Sequence, residues 1–235
     1  MDALILAAGR GTRMGGIDKP KCLLDIGGTS IINNQIKNFK NLGINRIFIV
    51  TGYNSELIHS HLNGDFIFLH NSDYVNTNNL HSVWTAKDSL DDDFICVYGD
   101  LLFHKKILEN CIQNDNDICL VIEKNVRSET MKVKIENNSI VEVNKSISED
   151  LADGNFIGMA KFKKSMIPIL FKEISLLVEN GNLKSYYTSA IESLIKKDKK
   201  INFVETDNFP WMDIDEEQEL AEAKKIYQNM NRVDS

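Results

Sequence analysis

Several features are scarce in this sequence, and each scarcity removes a class of function. Proline occurs three times in 235 residues, and no low-complexity stretch, internal repeat or linker-like composition breaks the chain. This predicts a single domain over residues 1–235, a length sufficient to bury a full core at 43% hydrophobic content. No window approaches the ~20 consecutive apolar residues of a membrane span. The opening run Asp2 to Ala8 is too short, and lacks the basic flank, for a secretory signal. The expectation is a cytoplasmic protein with no membrane partner.

Cysteine is equally uninformative as a ligand set. Cys22, Cys96, Cys111 and Cys119 form no C-x-x-C pair, and two of them lie in apolar runs, which predicts buried free thiols. His59, His61, His70, His81 and His104 have no metal-ligand spacing, although His81 falls beside a segment considered below. Basic charge is also short: Lys and Arg number 27 against 34 Asp and Glu, a formal charge of -7. A general nucleic-acid binder is therefore excluded, and the basic residues that matter must be local.

Short β-rich runs alternate with amphipathic stretches through the first half, which predicts a parallel sheet with helices on its faces. The expected strands are Ala3 to Ala7, Arg46 to Val50, Phe66 to Leu69, Phe94 to Tyr98 and Ile118 to Ile122. Ser30 opens a helix with Ile32, Ile36, Phe39 and Leu42 on one face and Gly43 as its stop. Further helices start at Ser55 and near Asn79, the latter carrying Leu80, Val83, Trp84 and Leu90. Around residues 132 to 144 the pattern switches to alternation about Asn137-Asn138, a hairpin signal. Then follow a strand at Phe156 to Phe162, helices at Ser165 to Glu179 and Tyr186 to Lys196, a strand at Ile201 to Glu205 and a closing helix after Asp215. The expected fold is α/β: a Rossmann-like mixed, mostly parallel sheet flanked by helices, with a β-hairpin insertion on the acceptor side.

Directly after the first strand stands Gly9-Arg10-Gly11-Thr12-Arg13-Met14-Gly15-Gly16, followed by Lys19-Pro20-Lys21. Glycines let the backbone approach a ligand and turn N–H groups toward anions, while the cations supply donors to phosphate oxygens. The pattern suits a triphosphate. It is not the dinucleotide fingerprint, because Met14 occupies the third glycine, nor a P-loop, because no Gly-Lys-Ser/Thr follows.

The stretch Leu4 to Met14, together with Asp18-Lys19-Pro20-Lys21-Cys22-Leu23-Leu24, resembles the signature of nucleotidyltransferases that activate sugar phosphates, phosphocholine and phosphonates. The resemblance implies that the loop, with Ala7, Ala8, Gly9, Gly11, Thr12 and Lys19, wraps a triphosphate. It implies catalytic roles for Arg13 on the phosphates and for Lys21 on the charge that develops during transfer.

Two acids stand far apart, Asp100 in Gly99-Asp100 after the strand Phe94 to Tyr98 and Asp215 in Trp211-Met212-Asp213-Ile214-Asp215. A magnesium ion on a triphosphate takes one or two carboxylates, with phosphates and waters completing its octahedron. Asp100 sits where open α/β sheets bind ligands. The resemblance implies that Asp100 and Asp215 hold Mg2+, with Asp213 as alternate. Each acid also fits a helix cap.

Asn71 to Ser82 leads into a helix, and its amides present donor and acceptor together. The Thr-Asn-Asn-x-x-Ser form resembles the cytidine-using branch, implying that Asn78, Asn79 and Ser82 read the base of CTP; a polar turn with an Asn cap is the alternative. Lys132 and Lys145, at the hairpin strand ends, are candidate acceptor-phosphate ligands, or exposed lysines. Tyr187 and Trp211, with Tyr186, are a candidate aromatic wall for a cationic acceptor, or core.

The reading is a magnesium-dependent cytidylyltransferase that moves CMP from CTP to a small phosphonate, such as 2-aminoethylphosphonate, or to phosphocholine, releasing pyrophosphate. A homodimer is compatible with it. The alternatives are a sugar-1-phosphate nucleotidyltransferase using UTP, dTTP or GTP, and an inactive nucleotide-binding regulatory module.

Overall fold

The computed structural model describes residues 1–11, 19–128 and 130–233. Along the chain run β1 (Asp2–Ala7), α1 (Ile31–Asn41), β2 (Arg46–Thr51), α2 (Ser55–His61), β3 (Ile67–His70), α3 (Asn79–Trp84), β4 (Phe94–Tyr98), β5 (Leu101–Phe103) and α4 (Lys105–Gln113). They are followed by β6 (Ile118–Glu123), β7 (Met131–Glu136), β8 (Ser139–Asn144), β9 (Gly154–Phe162), α5 (Ile167–Glu179), α6 (Thr188–Ile195), β10 (Asn202–Glu205), β11 (Trp211–Asp213) and α7 (Leu220–Val233).

The main sheet has the order β10-β6-β9-β4-β1-β2-β3, with the β7–β8 hairpin attached through β7 to β9. Strands β1, β2, β3 and β4 are mutually parallel, β10 is parallel to β6, and β9 alone runs against both β4 and β6. The expected mixed, mostly parallel α/β sheet is the one present. Strands covered on both faces read as continuous apolar runs, and β1 and β6 are such runs. One core, with Leu4, Phe94 and Tyr187, fills one side of the sheet; another, with Ile5, Phe39 and Ile107, fills the other.

The local signals work as physics requires. Ser30 caps α1 by accepting from the Asn33 N–H, and Gly43 takes a left-handed φ of 81° just past the helix. Asn137 and Asn138, at φ 47° and 58°, make the hairpin turn whose twist matches its strands. The helix at Asn79 stops at Trp84, short of the expected reach to Leu90, because successive tight turns through Ser89 take over. The elements β5, α4 and β11 were not anticipated.

Gly158, in mid-strand on β9, has a φ of 93°, and a Cβ there would lie 2.4 Å from Cδ2 of Tyr98. It sits where the β6–β9 register shifts between Leu120 and Ile122, so the bulge makes room for the Tyr98 ring. Gly158→Ala is expected to cost about 1–3 kcal/mol. A urea titration will show the midpoint lowered with an unchanged slope.

Candidate active site

A cavity of about 520 Å³ opens over the carboxyl ends of β1 and β4, the position where neighbouring connections diverge to opposite sides of the sheet. Its floor is Leu6, Ala8 and Gly9. One wall comes from the segment leading into α3, and the far wall from the β6–β7 connection, the end of β8 and β11.

Three distant segments meet at the floor. The Lys21 ammonium lies 2.5 Å from Oδ1 of Asp215 and 3.5 Å from Oδ2 of Asp100. Lys21 reaches them from a short helical turn, Lys21–Leu23, that follows the glycine-rich loop. Its aliphatic chain passes so close to Gly11, φ 65°, that a Cβ there would sit 2.7 Å from the Lys21 Cγ. The Asp100 loop is tied down by α1, whose buried Gln35 donates from Nε2 to the carbonyls of Tyr98 (2.9 Å) and Leu101 (2.7 Å). Ile214 N–H donates to the Asp100 carbonyl, which docks the segment after β11 beside it.

These contacts bear on the helix-cap reading of the two acids. Asp100 is followed by β5 and caps no helix. Asp215 is also not the cap: Glu216 and Glu219 form the capping box at the start of the last helical region, and Glu219 Oε2 accepts the N–H groups of Asp215 (2.7 Å) and Glu216 (2.8 Å). Burial raises the Asp100 pKa, Lys21 opposes that, and the charges of Asp215 and Asp213 add to it. Asp213 is raised too, first by burial and then by Asp215.

On the α3 wall, Asn71 organises the polar surface. Its Nδ2 donates to Oγ1 of Thr77 (3.1 Å) and Oγ of Ser82 (3.3 Å), and its Oδ1 accepts from the Asp73 N–H and pairs with Nδ1 of His81, both at 3.1 Å. Asn78 caps α3 through Oδ1 and also lines the cavity. Asn79 accepts from the Tyr187 N–H at 2.8 Å, binding this wall to the start of α6.

Of the residues expected from sequence, Ala8, Gly9, Asn78, Asn79, Ser82, Asp100, Lys145, Trp211 and Asp215 line the cavity, with Asp213. Lys21 meets it through the two acids. Ala7, Gly11 and half-buried Lys19 are not among its lining residues, and Thr12 and Arg13 fall outside the described residues. Two expected acceptor residues are elsewhere. Lys132 pairs with Asn144, so Lys145 is one step past its register and the two lysines do not share a face; Lys132 is buried, and Lys145 lies in the cavity. The Tyr187 ring is wholly in the core, edge-on to Tyr98 and Phe156, and Tyr186 occupies the wall instead.

Trp211 carries a cation already. The Arg127 guanidinium carbon stands 4.4 Å from its ring centroid, while the indole N–H donates to Glu123 Oε2 at 3.2 Å. Lys145 similarly lies over Tyr186, at 4.7 Å. Asn71 and Thr77, within the segment expected to read the base, also line the cavity, and Arg127 is a cavity residue for which no role was expected and which nothing in the local sequence marks.

Known proteins resemble this chain in sequence and fold. Residues 3–166 match the MobA-like NTP transferase domain. The CTP:phosphoglutamine cytidylyltransferase of Campylobacter jejuni is 30% identical over 243 residues, which cover 92% of this chain and 96% of that protein. The bifunctional protein GlmU of Methanocaldococcus jannaschii is 27% identical over 96% of this chain, which spans about half (54%) of GlmU. Among solved structures, the inositol-1-phosphate CTP transferase from T. maritima superposes with a TM-score of 0.81 at 20% identity, over 97% of this chain and 95% of that one.

Asn71→Ala would leave the Ser82 hydroxyl and the His81 ring without their partner in a buried place. It is expected to cost about 1–3 kcal/mol of stability. Ser82→Ala, which removes one of those bonds, should cost less in the same denaturation experiment.

Proposed function

This chain belongs to the family of MobA-like NTP transferase domains, and from that premise we propose that it transfers CMP from CTP to the phosphoryl or phosphonyl group of a small acceptor and releases pyrophosphate. The observation that carries the reading is the continuity of one cavity from the amide-rich wall of Asn71, Asn78 and Ser82 to the cluster of Lys21, Asp100 and Asp215. The Asn78 Nδ2 donor and the Ser82 hydroxyl, which Asn71 fixes from behind, can serve a base edge as donor and acceptor, as cytosine requires. The relative named for CTP, matched over nearly its whole length, supports the choice of nucleotide.

The donor set fits Mg2+. Two carboxylates converge on a single cationic position now held by the Lys21 ammonium. Among the described residues no three His, Cys, Asp or Glu side chains are assembled as a metal site. The protein thus offers two carboxylates, and phosphate and water oxygens would complete the octahedron, the usual division for this ion. When bound there, the ion would neutralise charge on the triphosphate and on the leaving pyrophosphate.

The chain's own residues supply the rest. The turn after β1 lets the backbone at Ala8 and Gly9 approach the triphosphate, and Lys21 is close enough to the acids to follow the charge as it passes to the α-phosphate. An acceptor oxygen forms the new bond to the α-phosphorus as the bond to the β-phosphate oxygen breaks, in line, and pyrophosphate carries the electrons away. That nucleophile is anionic at neutral pH, so no general base is assigned. Tying Asp100 down with Gln35 and Ile214 preorganises the site before substrate arrives.

The test is pyrophosphate release with Mg2+ and each of CTP, UTP, ATP, GTP and dTTP, against phosphate-ester, phosphonate and sugar 1-phosphate acceptors. Turnover confined to CTP is expected; preference for UTP or dTTP with a sugar 1-phosphate would replace the reading by a sugar nucleotidyltransferase. Asp100→Ala should abolish turnover in a folded protein. Lys21→Met should lower kcat by about 100-fold or more with a smaller change in the nucleotide KM.

A further inference from the structure

The far wall of the cavity indicates what kind of acceptor it receives. Two aromatic faces are turned into it, Trp211 and Tyr186, and both are already covered by cations of the protein, Arg127 at 4.4 Å and Lys145 at 4.7 Å. Trp211 is held in place from behind, its N–H on Glu123 and Glu123 in turn accepting from Thr206 Oγ1 at 2.9 Å. Arg127 is held by its backbone, its N–H donating to the Oδ1 of fully buried Asn155 at 3.1 Å. Among the described residues neither the Arg127 guanidinium nor the Lys145 ammonium forms an ion pair, although the Arg127 charge acts on the carboxylates of Glu123 and Asp213. Both side chains are exposed to the cavity, in a chain whose formal charge is -7.

A trimethylammonium group needs an open aromatic face. Here it would meet a cation on each ring and be repelled. The opposite charge is accommodated instead: a guanidinium held over a ring still has N–H donors to offer, and a carboxylate can take them through two parallel bonds. The acids of the same cavity do not reverse this. Glu216 and Glu219 are committed to the capping box and to backbone N–H groups, Asp215 is paired with Lys21, and Asp213, on the same wall, feels the Arg127 charge without forming an ion pair with it.

We infer that Arg127 and Lys145 are specificity-determining residues for an acceptor that bears, beyond its phosphoryl group, a carboxylate at the other end. The inference rests on the nucleotidyl-transfer reading of the same cavity and narrows its acceptor from small phosphorylated molecules in general to phosphorylated carboxylic acids.

Phosphoserine, phosphoethanolamine and phosphocholine share a phosphate ester and differ at the far end by a carboxylate and then by methylation of nitrogen. With Mg2+ and each nucleotide triphosphate, kcat/KM should favour phosphoserine over phosphoethanolamine by at least about tenfold, the discrimination a charge-assisted bond provides, and phosphocholine should be poorest. In Arg127→Ala, and to a lesser degree in Lys145→Ala, the phosphoserine to phosphoethanolamine ratio should collapse toward one; melting curves check that both exposed-site variants are folded. Equal loss for both acceptors would show that these cations hold the phosphoryl group and would overturn the inference. So would a preference for phosphocholine, or silence with phosphoserine while another acceptor turns over. The same acceptor order obtained with UTP in place of CTP would overturn the cytidylyl reading and keep this one. Silence across all nucleotides and acceptors would overturn both.

Discussion

The cavity depends on one ammonium group. Lys21, Asp100 and Asp215 come from the two ends and the middle of the chain, and burial together with the charge of Asp215 makes Asp100 resist ionisation. The Lys21 cation lets the two carboxylates coexist. Much of the surrounding framework then reads as what is needed to bring these three groups together: the helical turn that aims Lys21, the Gln35 amide that straddles Gly99-Asp100, and the antiparallel pairing of β11 with β5 that delivers Asp213 and Asp215 to the same place.

How much of this was legible in the sequence follows from distance along the chain. Helix α1, its Ser30 cap and the Asn137-Asn138 turn depend on residues within a few positions of one another, so periodicity and turn chemistry reveal them. Helix α4 has only Ile107, Leu108 and Cys111 as its buried stripe, too few to stand out. Strands β5 and β11 are three residues each, and their partnership joins Leu101 to Asp213 across the chain; no local pattern encodes it. The same limit explains the acceptor side. Lys132 and Lys145 look equivalent as strand-end lysines, and the register separates them by one residue and hence by one face. Adjacent tyrosines at 186 and 187 likewise part company, one to the cavity and one to the core. Arg127 is an unremarkable loop arginine until folding lays it on Trp211.

The polar wall shows how a segment rich in Asn serves structure and recognition at once. Asn78 is both a helix cap and a cavity residue, and Asn71 fixes the hydroxyls of Thr77 and Ser82 that face the same space. Backbone bonds from Asn78 to the Leu183 carbonyl and from Leu80 to the Ser185 carbonyl join this wall to the stretch carrying Tyr186. Buried amides in such a network are worth having only when each is satisfied, which ties the identity of several residues to one another.

The way the hairpin is attached has an evolutionary consequence. Strand β7 pairs with the main sheet over Met131, Lys132 and Val133, against the first residues of β9, and β8 adds a single bridge from Ile140 to Ile201. Arg127 and Lys145, which flank this hairpin, can therefore change without disturbing the pairing of β11 with β5 beside Asp100 and Asp215. A scaffold partitioned in this way can be recruited for a new metabolite by a handful of substitutions along one margin, without rebuilding the chemistry it already performs.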